Sequence, residues 1–317
     1  MGKILFIRGG AVGDFILTLP AVRLVREHLP ENEIEILGYP AITSLAVVSG
    51  LADRTRSIED AKLAAFFAPG ASLDEEWCDY FSSFDLVVSY LYDPDQFFSN
   101  NLKAAGVKSL LTGPFKPHED EPWQPAAVQL AKPLEHLALF LDDPEMVLSY
   151  PQNGDFNLEI SETSPPAIIH PGSGSPRKNW SLERWAEVVD KLSQQRGLTW
   201  LVSSGEAEHE TIGDFTQMLE VREVPFRHLG DRSLPELGFL FSKTAFYLGH
   251  DSGISHLAAS AGAGGLLLFG PTRPEVWAPV SKQMKSLVGS NQTLGAISVE
   301  QVMESVPPTS FSQARRR

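Results

Sequence analysis

Residues 3–22 read KILFIRGGAVGDFILTLPAV. The first six form a short apolar run, three small residues follow, and from residue 14 to 28 apolar side chains recur at spacings of three and four. That order predicts a strand over 3–8, a tight turn, and a helix over 14–28, the opening unit of a parallel α/β sheet. Glycines 9, 10 and 13 permit the turn, yet Ala11 and Val12 break the G-x-G-x-x-G spacing, which disfavours dinucleotide binding. Asp14 has two readings: a first-turn acid stabilised by the helix dipole, or a general base held where a hydroxyl can lose its proton. Arg8, at the strand end, is the candidate anion contact beside it.

The same alternation runs outward through the chain. Strands are predicted at 33–38, 85–89 and 107–111, then at 167–170, 198–203, 226–229, 245–249 and 265–269, with helices at 181–195, 207–219 and 253–262. The two series are separated by residues 112–166, where prolines recur at 114, 117, 122, 125, 133, 144, 151, 165 and 166 and one helix is expected at 134–142. Two Rossmann-like halves result, with domains expected at 1–155 and 156–317. In open parallel sheets ligands bind beyond the carboxyl ends of the strands, so each loop that follows a strand is a candidate site.

Composition narrows the classes. The 317 residues carry 26 Lys and Arg against 40 Asp and Glu, a formal charge of −14, which disfavours nucleic acid as a partner and extended contact with anionic membrane. The single cysteine, Cys78, excludes an internal disulfide and offers no zinc spacing, so a cytoplasmic setting fits best. The short apolar start reads as a strand and not a signal peptide, and no apolar run reaches the 18 residues or more of a membrane span. The tail SQARRR (312–317) reads as an unstructured solubilising end. The acid pair in DPD (93–95) has the form that divalent cations use, but isolated acid pairs of this kind are usually surface residues, and no metal site is expected.

Three further loops carry chemistry. HPGSGSPRKNW (170–180) places Gly172, Ser173, Gly174 and Ser175 in a turn whose N–H groups can approach phosphate, with Arg177 and Lys178 supplying charge. It is not a Walker loop. SSGEAEHE (203–210) offers Glu206 or Glu208 to ribose hydroxyls, and the spacing leaves the choice open. HDSGISHLAAS (250–260) sets Ser252 and Gly253 at a helix start, where unsatisfied N–H groups suit a diphosphate. Asp251 sits awkwardly beside such an anion, and the missing G-x-S-x-G elbow argues against a serine hydrolase.

Together, IRGGAVGDFILTLPAV (7–22), HPGSGSPRKNW (170–180), LGDRSLPELGFLFSKTAFYLGHDSGISHLAASAG (229–262) and LFGPTRPEVWAP (268–279) resemble glycosyltransferase family 9, the heptosyltransferase-like enzymes of lipopolysaccharide core synthesis. The resemblance implies an α/β fold of GT-B architecture, two Rossmann-like domains facing across a cleft, with the final helix able to return onto the first domain. It also implies inverting, metal-independent transfer of heptose from an ADP-sugar, which is a substrate and not a cofactor, to a lipid-linked glycan at the inner face of the inner membrane. Asp14 matches the family's catalytic base, with Arg8 and Gly13 on the acceptor side. Lys178 matches the phosphate-binding lysine, Ser173 and Gly174 the small residues before it, and Asp251, Ser252, Gly253 and His256 the donor segment D-[ST]-G-x-x-H. On that comparison Asp251 faces the donor sugar. Two rival readings are a GT-B-type epimerase or hydrolase, which needs no acceptor, and a non-catalytic sugar-nucleotide-binding protein.

Overall fold

A computed structural model describes residues 2–150, 165–230 and 232–307. The chain divides into two compact units, Met1–Pro144 and Glu145–Arg317. The first contains β1 (Lys3–Arg8), α1 (Val12–His28), β2 (Glu33–Gly38), α2 (Pro40–Val48), β3 (Arg54–Ser57), α3 (Glu75–Ser82), β4 (Leu86–Ser89), α4 (Phe97–Ala104), β5 (Leu110–Thr112) and α5 (Ala126–Ala131). Its five strands lie in the order β3-β2-β1-β4-β5, with every pairing parallel. The chain winds outward through β1, β2 and β3 and then returns to β4 on the other side of β1. The topological switch point therefore falls between β1 and β4, where such sheets open a crevice beyond the strand ends.

Helix α1 buries Phe15 through Val22 without interruption and packs against α5. Pro20 is accommodated inside it, although the ring removes one helical hydrogen bond. On the far part of the unit Phe66, Trp77, Phe81 and Phe98 are buried together with Leu5, Ile7 and Val87 of the sheet. Each such aromatic contributes on the order of 1.5–3 kcal/mol on burial, which anchors β1 and β4 and hence the loops at their ends.

The second unit contains β6 (Ala167–Ile169), α6 (Leu182–Arg196), β7 (Trp200–Val202), α7 (Ile212–Val221), β8 (Phe226–His228), α8 (Leu234–Phe241), β9 (Tyr247–His250), α9 (Gly253–Ser260), β10 (Gly265–Phe269), α10 (Pro274–Trp277), β11 (Met284–Val288) and α11 (Val299–Ser305). Its order is β11-β10-β9-β6-β7-β8, again all parallel. Here the switch point lies between β6 and β9. The two loops that leave those strands are HPGSGSPRK and HDSG, two of those singled out in the sequence.

The α/β fold with two parallel sheets agrees with the reading of the sequence, and several boundaries move. Strands β3 and β11 were not anticipated, because β3 (RTRS) has no apolar residue and sits at a sheet edge, held by pairs from Arg54 to Glu33 and Glu35. The helix expected at 134–142 is instead a 3-10 turn over Lys132–Leu137, stopped by Ala138 in the left-handed region at φ 58°. The helix expected at 207–219 begins only at Ile212, after a 3-10 turn over Glu206–Glu208. Residues 145–150, expected with the first domain, pack on the second unit: Leu148 N–H donates to Ser260 O at 2.6 Å, and the Tyr150 ring lies against Gly238. The expected boundary at 155/156 and the arginine tail lie outside the described residues. The last described helix, α11, packs on α6 within the second unit, through Val299 and Val302. No helix of the described residues is long and apolar enough to cross a membrane.

Candidate active site

Each unit carries a close pair of an acid and a cationic side chain at its switch point. In the first, Gly10 adopts φ +95°, a conformation that L side chains rarely adopt, and this turns the chain from β1 into α1. Asp14 is then the third residue of α1, and its Oδ2 accepts the N–H of Ala11 at 3.2 Å. Gly13 precedes it in the same turn and is half-buried.

Arg8 lies beneath. Its Nη2 is 3.6 Å from Asp14 Oδ1, while Nη1 donates to Tyr90 O at 3.2 Å and Phe115 O at 2.9 Å. The arginine side chain is 2% exposed and the aspartate 37%. Burial pushes the Arg8 guanidinium below its ordinary value, and Asp14 acts in the opposite direction by stabilising its charge. Arg8 was expected as an anion contact. Its side chain is buried under Asp14, faces that carboxylate and is fixed to two carbonyls.

In the second unit the arrangement is reversed. Asp251, one residue past β9, is buried, with 8% of its side chain exposed, and its Oδ2 accepts from Lys178 Nζ at 2.7 Å. The same oxygen accepts from Thr272 Oγ1, also at 2.7 Å. Lys178 keeps 32% of its side chain exposed. The negative charge of Asp251 is therefore met locally by a lysine and a hydroxyl.

The loop that carries Lys178 is held from below. His250, the last residue of β9, is fully buried, and its Nε2 accepts both the Trp180 N–H at 2.8 Å and the Trp185 indole N–H at 3.1 Å. An Nε2 that accepts two donors carries no proton, so the ring hydrogen sits on Nδ1, which faces Gly172 O at 3.4 Å. Burial pushes the His250 pKa down to about 3, so the ring is neutral through the physiological range. Ser173, also buried, has its hydroxyl within 2.7 Å of Asn179 Oδ1 and 2.9 Å of Ser175 O. It closes the turn internally, leaving Gly174 exposed at the tip.

Glu206 and Glu208, equivalent by spacing, separate clearly. Glu208 is buried, accepts the Gly205 N–H at 2.9 Å and lies 3.7 Å from His170 Nε2. A Cβ on Gly172 would stand 2.3 Å from Glu208 Cγ, so the glycine lets the acid pack under the loop at 170–180. His170, held by Ser203 through Nδ1, has its pKa lowered by burial, with Glu208 opposing. Glu206 is exposed at the start of the same turn.

At the start of α9, Ser252 Oγ accepts the Ser255 N–H at 3.2 Å and caps the helix. Gly253 opens the helix without a side chain, and His256 lies buried one turn on. The β6 and β9 loops thus bring Lys178, Asp251, Ser252 and Gly253 to one switch point, while Ser173 and Glu208 serve as supports. Sequence reasoning did not single out Thr272, His250 or His170. Thr272 stands in the quoted LFGPTRPEVWAP, directly beyond β10, and the strand-end rule was the signal that reaches it. Nothing in the spacing marks the two histidines, whose role depends on burial.

Comparison with known proteins places the fold and the sequence in a family. A family model described as glycosyltransferase family 9 (heptosyltransferase) matches residues 116–306. The chain is 29% identical over 115 residues to lipopolysaccharide heptosyltransferase 3 of Escherichia coli strain K12, covering 35% of this chain and 33% of that protein. With another Escherichia coli lipopolysaccharide heptosyltransferase 3 it shares 22% identity over 298 residues, 86% of this chain and 84% of the relative. The chain thus spans about a third of the length of the first relative and most of the second. In fold it is similar to the solved ADP-heptose lps heptosyltransferase II of E. coli, with a TM-score of 0.74 and 18% identity over 95% of this chain and 96% of that one. A family match over more than half of the chain, joined to the GT-B fold of its two parallel sheets, places this protein in glycosyltransferase family 9.

Proposed function

We propose that the protein transfers heptose, or a related sugar, from an ADP-sugar to a lipopolysaccharide-core or other glycan acceptor, with inversion and without a metal. The observation that carries this reading is the opposed polarity of the two charge pairs: a half-exposed carboxylate over a buried arginine in one unit, and a half-exposed lysine over a buried carboxylate in the other. A transfer of this kind needs both, one to accept a proton and one to receive negative charge.

In the proposed step Asp14 takes the proton of an acceptor hydroxyl as the oxygen attacks the anomeric carbon. The bond from that carbon to the diphosphate breaks, and the nucleoside diphosphate leaves with the electron pair. Lys178 and the N–H groups at the start of α9 stabilise the charge that develops on it. Asp251 holds the lysine in place and faces the donor sugar, and Glu206 bonds the ribose hydroxyls. The name of the E. coli relative, an ADP-heptose enzyme, supports the choice of ADP over other nucleotides. The acceptor's lipid would bring the protein into peripheral contact with the cytoplasmic face of the membrane.

The test is ADP release from ADP-heptose, in EDTA, with and without de-acylated lipopolysaccharide core oligosaccharide. Release that requires the oligosaccharide is expected. Release of equal rate without it would replace transfer by hydrolysis or epimerisation, and donor binding with no turnover would leave a binding protein.

A further inference from the structure

The first unit holds a cavity of about 480 Å³ beyond the ends of β4 and β5, lined in part by Ser89, Leu91, Tyr92, Gln96, Lys103 and Phe115. That volume is in the range that takes a small ligand. Two features distinguish it from a surface dent. Tyr92 and Phe115 touch one another, ring centroids 5.4 Å apart at 57°, yet they remain 66% and 46% exposed. The two adjoining rings present one continuous apolar face to solvent. The polar lining is also divided in its commitments. Asp93 is spent on the start of α4, accepting the N–H of Phe98 at 3.0 Å, the N–H of Ser99 at 2.8 Å and the Ser99 hydroxyl at 2.7 Å. Lys103 has no ion-pair partner among the described residues.

An aromatic wall with hydrogen-bonding groups around it is complementary to a sugar ring, which presents C–H groups on its faces and hydroxyls at its edge. The cavity is also tied to the proposed base. Arg8 donates to the Phe115 carbonyl through Nη1 and faces the Asp14 carboxylate through Nη2, so one buried side chain fixes the wall and the acid together. Leu91, another wall residue, is the neighbour of Gly9 at the end of β1.

We propose that this cavity is a carbohydrate subsite for the acceptor glycan, with Tyr92 and Phe115 as its stacking platform and Lys103 as its rim donor. The assignment rests on the transfer reading given above and names residues that the sequence motifs do not include. Because the platform is exposed, its replacement leaves the core untouched.

The experiment compares wild type with Tyr92→Ala/Phe115→Ala, using de-acylated core oligosaccharide as the probe in direct titration without donor, and then as the acceptor in the transfer assay. The expected result is a rise of roughly tenfold or more in oligosaccharide Kd and acceptor KM, with ADP affinity and melting temperature as in wild type. Tyr92→Phe, which keeps the ring, should bind as wild type does. Unchanged oligosaccharide affinity in the double variant would overturn the assignment, as would no binding of the oligosaccharide to wild type. A failure of the transfer reading is read separately, as absent acceptor-dependent ADP release, while the titration still reports on the cavity.

Discussion

The two switch points are built from the same chemistry with its sign reversed. In the first unit the cation is buried and the carboxylate half-open, with Arg8 at 2% and Asp14 at 37% side-chain exposure. In the second the carboxylate is buried and the cation half-open, with Asp251 at 8% and Lys178 at 32%. The pairs also differ in tightness: 3.6 Å between Arg8 and Asp14, against 2.7 Å and a second donor, Thr272, on Asp251. In each case the buried partner costs desolvation and positions the exposed one. Which sign is left facing outward differs between the units, and under the proposed transfer the open carboxylate would accept a proton and the open lysine would meet phosphate.

Substitutions that remove the exposed member of each pair break this comparison most sharply. Asp14→Asn is expected to lower turnover by roughly 10²- to 10⁴-fold while ADP affinity stays at the wild-type value, measured by ADP release and by calorimetry. Lys178→Ala should lower the rate by roughly 10²- to 10³-fold and weaken ADP binding as well, because its charge would serve both bound and leaving diphosphate. That variant also leaves Asp251 buried with only Thr272, so its melting temperature should fall further than that of Asp14→Asn, which breaks a looser pair.

Smaller effects sharpen the picture. Thr272→Val removes one of two donors to Asp251 Oδ2, and a loss of about three- to tenfold in kcat/KM is expected, with Lys178 still in place. Retention of full activity would make Thr272 dispensable to the pair. His250 gives a stability signature. The His250 pKa is lowered in the folded protein from 6.5 to about 3, so between those values the unfolded chain takes up a proton that the folded one refuses. Stability from His250 is therefore fully present above about pH 6.5 and is lost as pH falls towards 3. His250→Gln should flatten that part of a denaturation-versus-pH curve; an unchanged slope would remove His250 from the account.

The strand–loop–helix order at 3–28, the glycine-rich loop before Lys178 and the short turn into Gly253 were legible because backbone periodicity and small-residue turns are local properties. Strand β3 was not, since RTRS has no apolar residue and pairs only at an edge. The same limit governed the sites. Asp14, Lys178 and Asp251 could be named from motif position, but that Arg8 lies under Asp14 and that Lys178 covers Asp251 depends on contacts 6 and 73 residues apart in sequence. Glu206 and Glu208 have equal standing in the motif. What separates them is a glycine at 172, which only the packed loop brings against Glu208. The aromatic pair Tyr92–Phe115 stood in a segment without motifs, where nothing but the sheet order brings β4 beside β5.

The most direct test of the opposed-polarity account is calorimetric titration of ADP, in EDTA, into wild type, Asp14→Asn and Lys178→Ala. The account predicts equal affinity for wild type and Asp14→Asn and a loss of roughly tenfold or more for Lys178→Ala. Equal weakening by both substitutions, or wild-type affinity in Lys178→Ala, would contradict the division of proton and phosphate chemistry between the two units.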